Sequence, residues 1–165
     1  MKKVLLRKRY IFEIIAIALM FVIDQFTKYL VTTNMFLGQE IVIIKNFFSL
    51  NYLRNTGAGF SIMEGQMTYF YIITCIALVI LTILLLKSKN EHWLYTVAYT
   101  VMIGGTVGNF YDRIVNKYVI DFIDFIILGY DFPVFNFADI FLTVGCGLFI
   151  LATILEYKGV IHADK

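Results

Sequence analysis

Four long apolar stretches dominate the pattern of hydrophobic and polar positions along this chain. They cover about residues 11–31, 67–86, 93–111 and 137–157. A helix of about 20 apolar residues spans the roughly 30 Å hydrocarbon core of a bilayer. The pattern therefore predicts four transmembrane helices.

Two longer intervals, about 32–66 and 112–136, separate these stretches. Residues 40–45 and 47–53 are rich in β-branched and aromatic side chains, which predicts two short strands. Exposed sheet edges are not tolerated in hydrocarbon, so we expect this small sheet at the outer membrane surface. The predicted fold is a mainly α integral membrane protein with four transmembrane helices and a small extracytoplasmic β-sheet, a cradle, after the first helix. One domain is expected over residues 1–165.

Composition and charge support this interpretation. The chain is 60% hydrophobic with a mean hydropathy of +0.79, which excludes an ordinary soluble domain. If both termini are cytoplasmic, nine Lys and Arg residues fall on the inner side and five on the outer side. The positive-inside rule favours that orientation. Cys75 and Cys146 lie in apolar runs and are expected to be small buried side chains without a metal or disulfide role.

Polar residues interrupt the apolar pattern mainly at the predicted outer side. Asp24 and Lys28 are one helical turn apart in the first apolar stretch. This pair either neutralises itself or braces a polar site, and the sequence leaves both open. Asp112 and Arg113 either contribute to such a site or form a purely structural ion pair at the membrane interface. All these residues fall on the same side as Asn55, Asn109, Asp121 and Asp139.

Carboxylates are the reactive side chains that the sequence places at the predicted outer side. The sequence has no Ser–His, Cys–His or metal-ligand spacing, so neither metal nor cofactor is predicted. Two aspartates that share a site cannot both ionise cheaply, so one is a base and the other keeps a proton. Asp139 is expected in the first turn of the fourth helix, with Asn136 as its N-cap. Asp121, expected on a loop or short helix, is the candidate partner, and Asp124 is an alternative that physical reasoning leaves open.

Five segments occur in the order and spacing of a known family. They are Asp24-Gln-Phe-Thr-Lys28, Asn55-Thr-Gly-Ala-Gly-Phe60, Gly108-Asn-Phe-Tyr-Asp-Arg113, Val119-Ile-Asp-Phe122 and Phe135-Asn-Phe-Ala-Asp139. Through these segments the chain resembles the bacterial lipoprotein signal peptidases, also called signal peptidase II or prolipoprotein signal peptidase. The resemblance covers the whole chain. Gly59 departs from the family pattern, which has alanine there; this puts fine specificity in doubt and removes no polar group.

The resemblance implies an aspartic endopeptidase of the bacterial cytoplasmic membrane, with its active site at the outer face and both termini cytoplasmic. It implies cleavage of prolipoproteins before a lipobox cysteine that carries diacylglyceryl. Asp121 and Asp139 then form the catalytic pair, which favours Asp121 over Asp124. The implied partners are diacylglyceryl-modified prolipoproteins and membrane lipids, and no nucleic acid is expected to bind. The protein is expected to act as a monomer. The supporting and substrate-binding positions are Asp24, Lys28, Asn55, Gly57, Asn109, Asp112, Arg113 and Asn136.

Other functions fit the pattern less well. A proton- or ion-coupled small transporter also places acids in membrane helices, but here the acids gather on one side. Peptidases of the presenilin or prepilin-peptidase kind use a GxGD motif, and the segment Gly129-Tyr-Asp131 only partly resembles it. A structural scaffold would not explain the convergence of polar residues.

Overall fold

The described part of this computed structural model comprises residues 2–57 and 66–162, with side chains from residue 9 onward apart from that of Asn90. Eight main elements follow one another, and a short 3-10 turn at 88–90 comes after the second helix. In chain order they are α1 (Lys2–Asn34), β1 (Glu40–Ile44), β2 (Phe48–Asn55), α2 (Met67–Lys87), α3 (Trp93–Asn116), β3 (Val119–Ile127), β4 (Tyr130–Asp131) and α4 (Phe137–Tyr157).

The four predicted helices are confirmed. Of the described helices, three are long and apolar enough to cross a membrane: the Arg9–Asn34 part of α1, α2, and α4. Their large apolar side chains are mostly exposed, as expected where lipid is the solvent. For the same reason the expected burial of Cys75 and Cys146 is wrong, because both lie on the exposed apolar surface.

The helix α3 is less apolar and packs against the other three helices. It has 24 residues, a length of about 36 Å, and it buries Thr100, Thr106, Asn109 and Asp112 against its neighbours. Small residues permit this packing: a Cβ on Gly105 would lie 2.9 Å from the backbone nitrogen of Leu142 in α4. The polar side chains of α3 therefore face protein.

The sheet is antiparallel, in the order β1-β2-β3-β4. The two strands predicted after the first helix are confirmed, but β3 and β4 come from the second long interval, which was expected to be loop or short helix. The expectation for Asp121 is therefore wrong: it lies on β3, opposite Leu53 of β2. The pairing of β2 with β3 supplies a rigid backbone for this aspartate that a loop would lack.

Two hydrophobic clusters hold these layers together. The first cluster joins α1 to the sheet, and the second cluster joins α2, α3 and α4. The first contains Val31, Met35, Tyr52, Ile120, Phe122 and Ile123, and the second contains Leu81, Leu85, Tyr95, Tyr99, Ile103 and Ala152. Because the first cluster includes both neighbours of Asp121, it fixes that aspartate relative to the helix ends.

Candidate active site

The first turn of α4 presents Asp139 in a fixed orientation. Asn136 is the N-cap: its side-chain oxygen accepts a hydrogen bond from the Asp139 backbone nitrogen at 3.1 Å. In return Asp139 Oδ2 accepts from the Asn136 backbone nitrogen at 3.2 Å, which completes a capping box. Asp139 Oδ1 accepts from Asn109 Nδ2 of α3 at 2.7 Å. The predicted cap is confirmed, and two N–H donors fix this carboxylate.

Asp121 reaches the same place from the sheet. Its Oδ1 accepts a hydrogen bond from Asn136 Nδ2 at 2.6 Å, and its Oδ2 accepts from Asn55 Nδ2 at 2.9 Å. Asn136 thus donates from its side chain to Asp121 and from its backbone to Asp139. The two carboxylates are brought together through this single asparagine.

A buried cation lies behind the pair. Lys28 is 1% exposed, and its Nζ lies 2.8 Å from carboxylate oxygens of both Asp24 and Asp112. It also donates to Asn109 Oδ1 at 3.1 Å. That oxygen accepts from Asn136 Nδ2 as well, which turns the Asn109 amide nitrogen toward Asp139. Lys28 therefore orients the amide that contacts the site, beyond neutralising the aspartate one turn away.

Asp24 connects the first and fourth helices. Its Oδ1 accepts from the backbone nitrogen of Ala138 at 3.0 Å, and Gln25 Nε2 donates both to its Oδ2 and to Asp112 Oδ1, at 3.0 and 3.1 Å. Gly108 gives Asp24 room, since a Cβ there would lie 2.6 Å from Asp24 Oδ2. Neither Gln25 nor Gly108 was among the predicted site residues. The signal for Gln25 was present, because an amide within an apolar membrane helix is itself unusual.

Arg113 lies at the open side of this network. Its guanidinium is 4.9 Å from the centre of the Phe70 ring, and Nη2 donates to the Gly57 carbonyl at 3.3 Å. The Gly57 backbone nitrogen donates to Asn55 Oδ1 at 2.8 Å. Arg113 and Asn55 are therefore connected through the backbone of one residue, Gly57. Asp112 pairs with Lys28, so the alternative of an Asp112–Arg113 ion pair does not match the described contacts.

A cavity of about 560 Å³ opens beside the two carboxylates. Its polar wall consists of Asn55, Asn109, Arg113, Asp121 and Asp139. The remaining wall is largely apolar and comes from β3, the segment before α4 and the first two turns of α4: Val119, Phe125, Ile127, Phe132, Pro133, Val134, Phe135, Ile140, Thr143 and Val144. A narrow polar strip thus borders a wide apolar groove.

Burial sets the protonation of Asp121. Burial first, and then the neighbouring Asp139 charge, raise the pKa of this carboxyl to about 7, against the opposing effect of the hydrogen bonds from Asn55 and Asn136. A carboxyl that keeps its proton near neutral pH beside a second carboxylate is suited to acid–base chemistry on a water molecule. Among the described residues no group of three or more His, Cys, Asp or Glu side chains could hold a metal ion.

Asp121 and Asp124 of β3 contact different residues. Between them, the backbone nitrogens of Phe122 and Ile123 both donate to the Phe135 carbonyl, at 3.0 and 2.8 Å. Asp121 faces the apolar cavity, whereas Asp124 does not line it and accepts from Asn51 at 3.2 Å. Of the two candidates, only Asp121 is joined to Asp139.

All ten candidate residues fall in one connected region. They are Asp24, Lys28, Asn55, Gly57, Asn109, Asp112, Arg113, Asp121, Asn136 and Asp139. The departure at Gly59 lies outside the described residues. The network draws on α1, α3, α4 and two strands, so no single segment of the chain contains it.

Comparison with known proteins gives a consistent result. The family described as Signal peptidase (SPase) II matches residues 16–155. A lipoprotein signal peptidase of Staphylococcus haemolyticus is 42% identical over 154 residues, which is 92% of this chain and 96% of that protein. One from Staphylococcus aureus is 42% identical over 151 residues, 91% of this chain and 93% of that protein. Two solved structures of bacterial membrane enzymes also resemble this chain. The first has a TM-score of 0.82 and 35% sequence identity, and the match covers 93% of each chain. The second has a TM-score of 0.78 and 40% sequence identity, and the match covers 86% of this chain and 91% of the other.

Proposed function

Because the chain belongs to the signal peptidase II family, we propose that it is a membrane peptidase that removes signal peptides from prolipoproteins. The site observation that best supports this activity is the pair Asp121 and Asp139, joined by Asn136 beside an apolar cavity. The comparisons give no support to an ion-coupled transporter.

The proposed reaction is aspartic. Asp139 acts as the base, because the helix N-terminus and two N–H donors favour its ionised form. It takes a proton from water, and the water oxygen attacks the carbonyl carbon of the residue before the lipidated cysteine. Asp121 keeps its proton and donates a hydrogen bond to the carbonyl oxygen. As the C–N bond breaks, Asp139 returns its proton to the cysteine nitrogen, so one water is consumed and two peptides leave.

The surrounding residues are assigned to positioning. Asn109, which Lys28 orients, holds the Asp139 carboxylate, and Asn55 holds that of Asp121. Arg113 fixes the backbone at Gly57 and places a positive charge on the wall of the cavity. This charge stabilises the oxygen on which negative charge develops during attack.

The apolar wall suits the lipid of the substrate. Side chains such as Phe125, Phe132, Ile140 and Val144 form a groove that runs from the carboxylates along α4. Burial of an acyl chain contributes about 0.8 kcal/mol per CH₂ group, so the lipid supplies much of the binding energy. The scissile segment must be extended, because a helical signal peptide keeps its backbone groups paired internally.

The proposed setting is the bacterial cytoplasmic membrane, with both termini cytoplasmic and the site at the outer face. The excess of Lys and Arg on the inner side supports that orientation. The proposed partners are diacylglyceryl-modified prolipoproteins and membrane lipids, and the chain is proposed to act as a monomer.

The test is cleavage of a lipobox peptide by purified protein in detergent, with and without diacylglyceryl on its cysteine. We expect cleavage of the lipidated peptide, with a loss of at least about a thousandfold in Asp121→Asn and in Asp139→Asn. Glu40→Gln is the matched control, because it removes an exposed carboxylate from the same sheet and lines none of the described cavities. Turnover near wild type in either aspartate variant would contradict the assignment of the pair.

A further inference from the structure

A second cavity, of about 500 Å³, lies on the other side of Asp121. It shares Asn55 and Asp121 with the apolar cavity, together with the segment 132–134. Its lining comes from the sheet and this segment, with no residue from a helix: Asn51, Leu53, Arg54, Asn55, Asp121, Asp124, Asp131, Phe132, Pro133 and Val134. The second cavity is therefore more polar and lies away from the membrane helices.

Asp124 is the residue in this cavity that the peptidase reaction leaves unexplained. It is 9% exposed, and its Oδ2 accepts one hydrogen bond, from Asn51. Its Oδ1 is buried and has no hydrogen-bond partner among the described residues. A buried carboxylate oxygen without a donor is destabilising, and native proteins rarely retain one without a reason.

The charge around Asp124 is unbalanced. Asp121 and Asp131 are two further acids in the lining, and among the described residues Arg54 is the one basic side chain there. The Arg54 guanidinium lies 4.6 Å from the centre of the Tyr118 ring, and its Nε donates to the Tyr52 hydroxyl at 3.3 Å. Arg54 is thus directed toward tyrosines, and the described contacts give it no bond to Asp124.

The chemistry of the substrate indicates what occupies this cavity. A prolipoprotein has an apolar signal segment, a lipidated cysteine and a mature chain that leaves the membrane. The first two belong in lipid or in the apolar groove beside α4, because burying acyl chains in a polar cavity is unfavourable. The mature chain is the part that must run outward from the scissile bond, and the second cavity begins at Asp121.

On the basis of the proposed function, we propose that the second cavity binds the residues immediately after the lipidated cysteine, and that Asp124 accepts a hydrogen bond from them. Asp124 is then a specificity-determining residue. It favours amide and basic side chains at the first position after the cysteine and disfavours acidic ones, because like charges in a partly buried site repel.

Three lipidated peptides that differ only at that position, with Lys, Gln or Glu, test the proposal. We expect wild type to cleave the Lys peptide with a kcat/KM at least about fivefold above that of the Glu peptide. In Asp124→Asn this ratio should fall below about twofold, mainly through KM, because the change affects binding of the mature segment. Glu40→Gln should keep the wild-type ratio.

Two results would overturn the proposal: a wild type that shows no preference, or an Asp124→Asn variant that loses activity equally on all three peptides. Binding separates this proposal from the reaction itself. The dissociation constants of fluorescent forms of the peptides are measured with Asp139→Asn and with Asp124→Asn/Asp139→Asn. If wild type cleaves none of the peptides, the peptidase proposal fails. Binding still tests Asp124 in that case. Its role is refuted if the ratio of the dissociation constants for the Glu and Lys peptides is the same in both variants.

Discussion

Replacing Asp121 by asparagine is predicted to make the folded protein more stable at neutral and alkaline pH. Burial raises the pKa of this carboxyl from 3.8 to about 7. Between these values the folded state holds a proton that the unfolded state has released. The contribution of Asp121 to stability is therefore fully present below about pH 4, falls as pH rises to about 7, and is flat above that.

The size of this loss of stability follows from the rise in the pKa of Asp121. One pH unit corresponds to about 1.4 kcal/mol, so wild type loses about 3 kcal/mol between pH 5 and pH 8.5 through this group. Asparagine cannot ionise, so the variant lacks this loss. Its amide is a poorer partner for Asn55 and Asn136, which costs about 1 kcal/mol per hydrogen bond at every pH. That cost cancels when one variant is compared at two pH values.

The assay is unfolding of the purified protein in mild detergent, followed by circular dichroism, at several pH values from 5 to 8.5. Wild type, Asp121→Asn and Glu40→Gln are compared, because other titrating groups are common to all three. The stability difference between Asp121→Asn and wild type should grow by about 3 kcal/mol across this range. The exposed Glu40 should give no such trend.

Parallel curves of stability against pH for wild type and Asp121→Asn would contradict this prediction. They would mean that Asp121 has the same affinity for protons when folded and unfolded, so that burial does not control its ionisation. Since the same variant is expected to lose cleavage, a confirmed trend would show that the catalytic pair is maintained at the expense of stability.

Two further predictions concern the site. First, kcat/KM for the lipidated peptide should fall as pH rises above about 7, because Asp121 then loses the proton through which it hydrogen-bonds to the carbonyl oxygen. A profile that stays flat to pH 9 would contradict this role. Second, Gly108→Ala should destabilise the fold by about 1–3 kcal/mol and reduce activity, because its Cβ would lie 2.6 Å from a carboxylate oxygen of the first helix. Thermal unfolding checks this against Gly147→Ala, where nothing lies within 4 Å; equal behaviour of the two variants would exclude a steric role for Gly108.

Features that depend on neighbouring residues could be predicted from the sequence. The helix α4 begins at Phe137, where the apolar run starts, because Asn136 caps it within the same segment. The strands β1 and β2 were likewise indicated by their β-branched and aromatic residues. The end of α3 could not be predicted in this way: the apolar run stops near residue 111, yet the helix continues to Asn116. It continues because Asp112 pairs with the buried Lys28 and accepts a hydrogen bond from the Ile120 backbone nitrogen. Neither contact is visible in the local sequence pattern.

The sheet and the choice of aspartate were decided by tertiary structure. Asp121 lies opposite Leu53, far away along the chain, and a strand carries little local information about its distant partner. Asp121 accepts a hydrogen bond from Asn136 and Asp124 accepts one from Asn51, and both of these partners are distant along the chain.

The membrane helices, the gathering of polar residues into one region and, through resemblance, the family could therefore be derived from the sequence alone. Three-dimensional packing was needed to join Asp121 to Asp139 through Asn136 and to orient Asn109 by Lys28. The physical reason is that hydrophobic periodicity and capping act over a few residues, whereas a buried polar network is satisfied by donors and acceptors from distant segments.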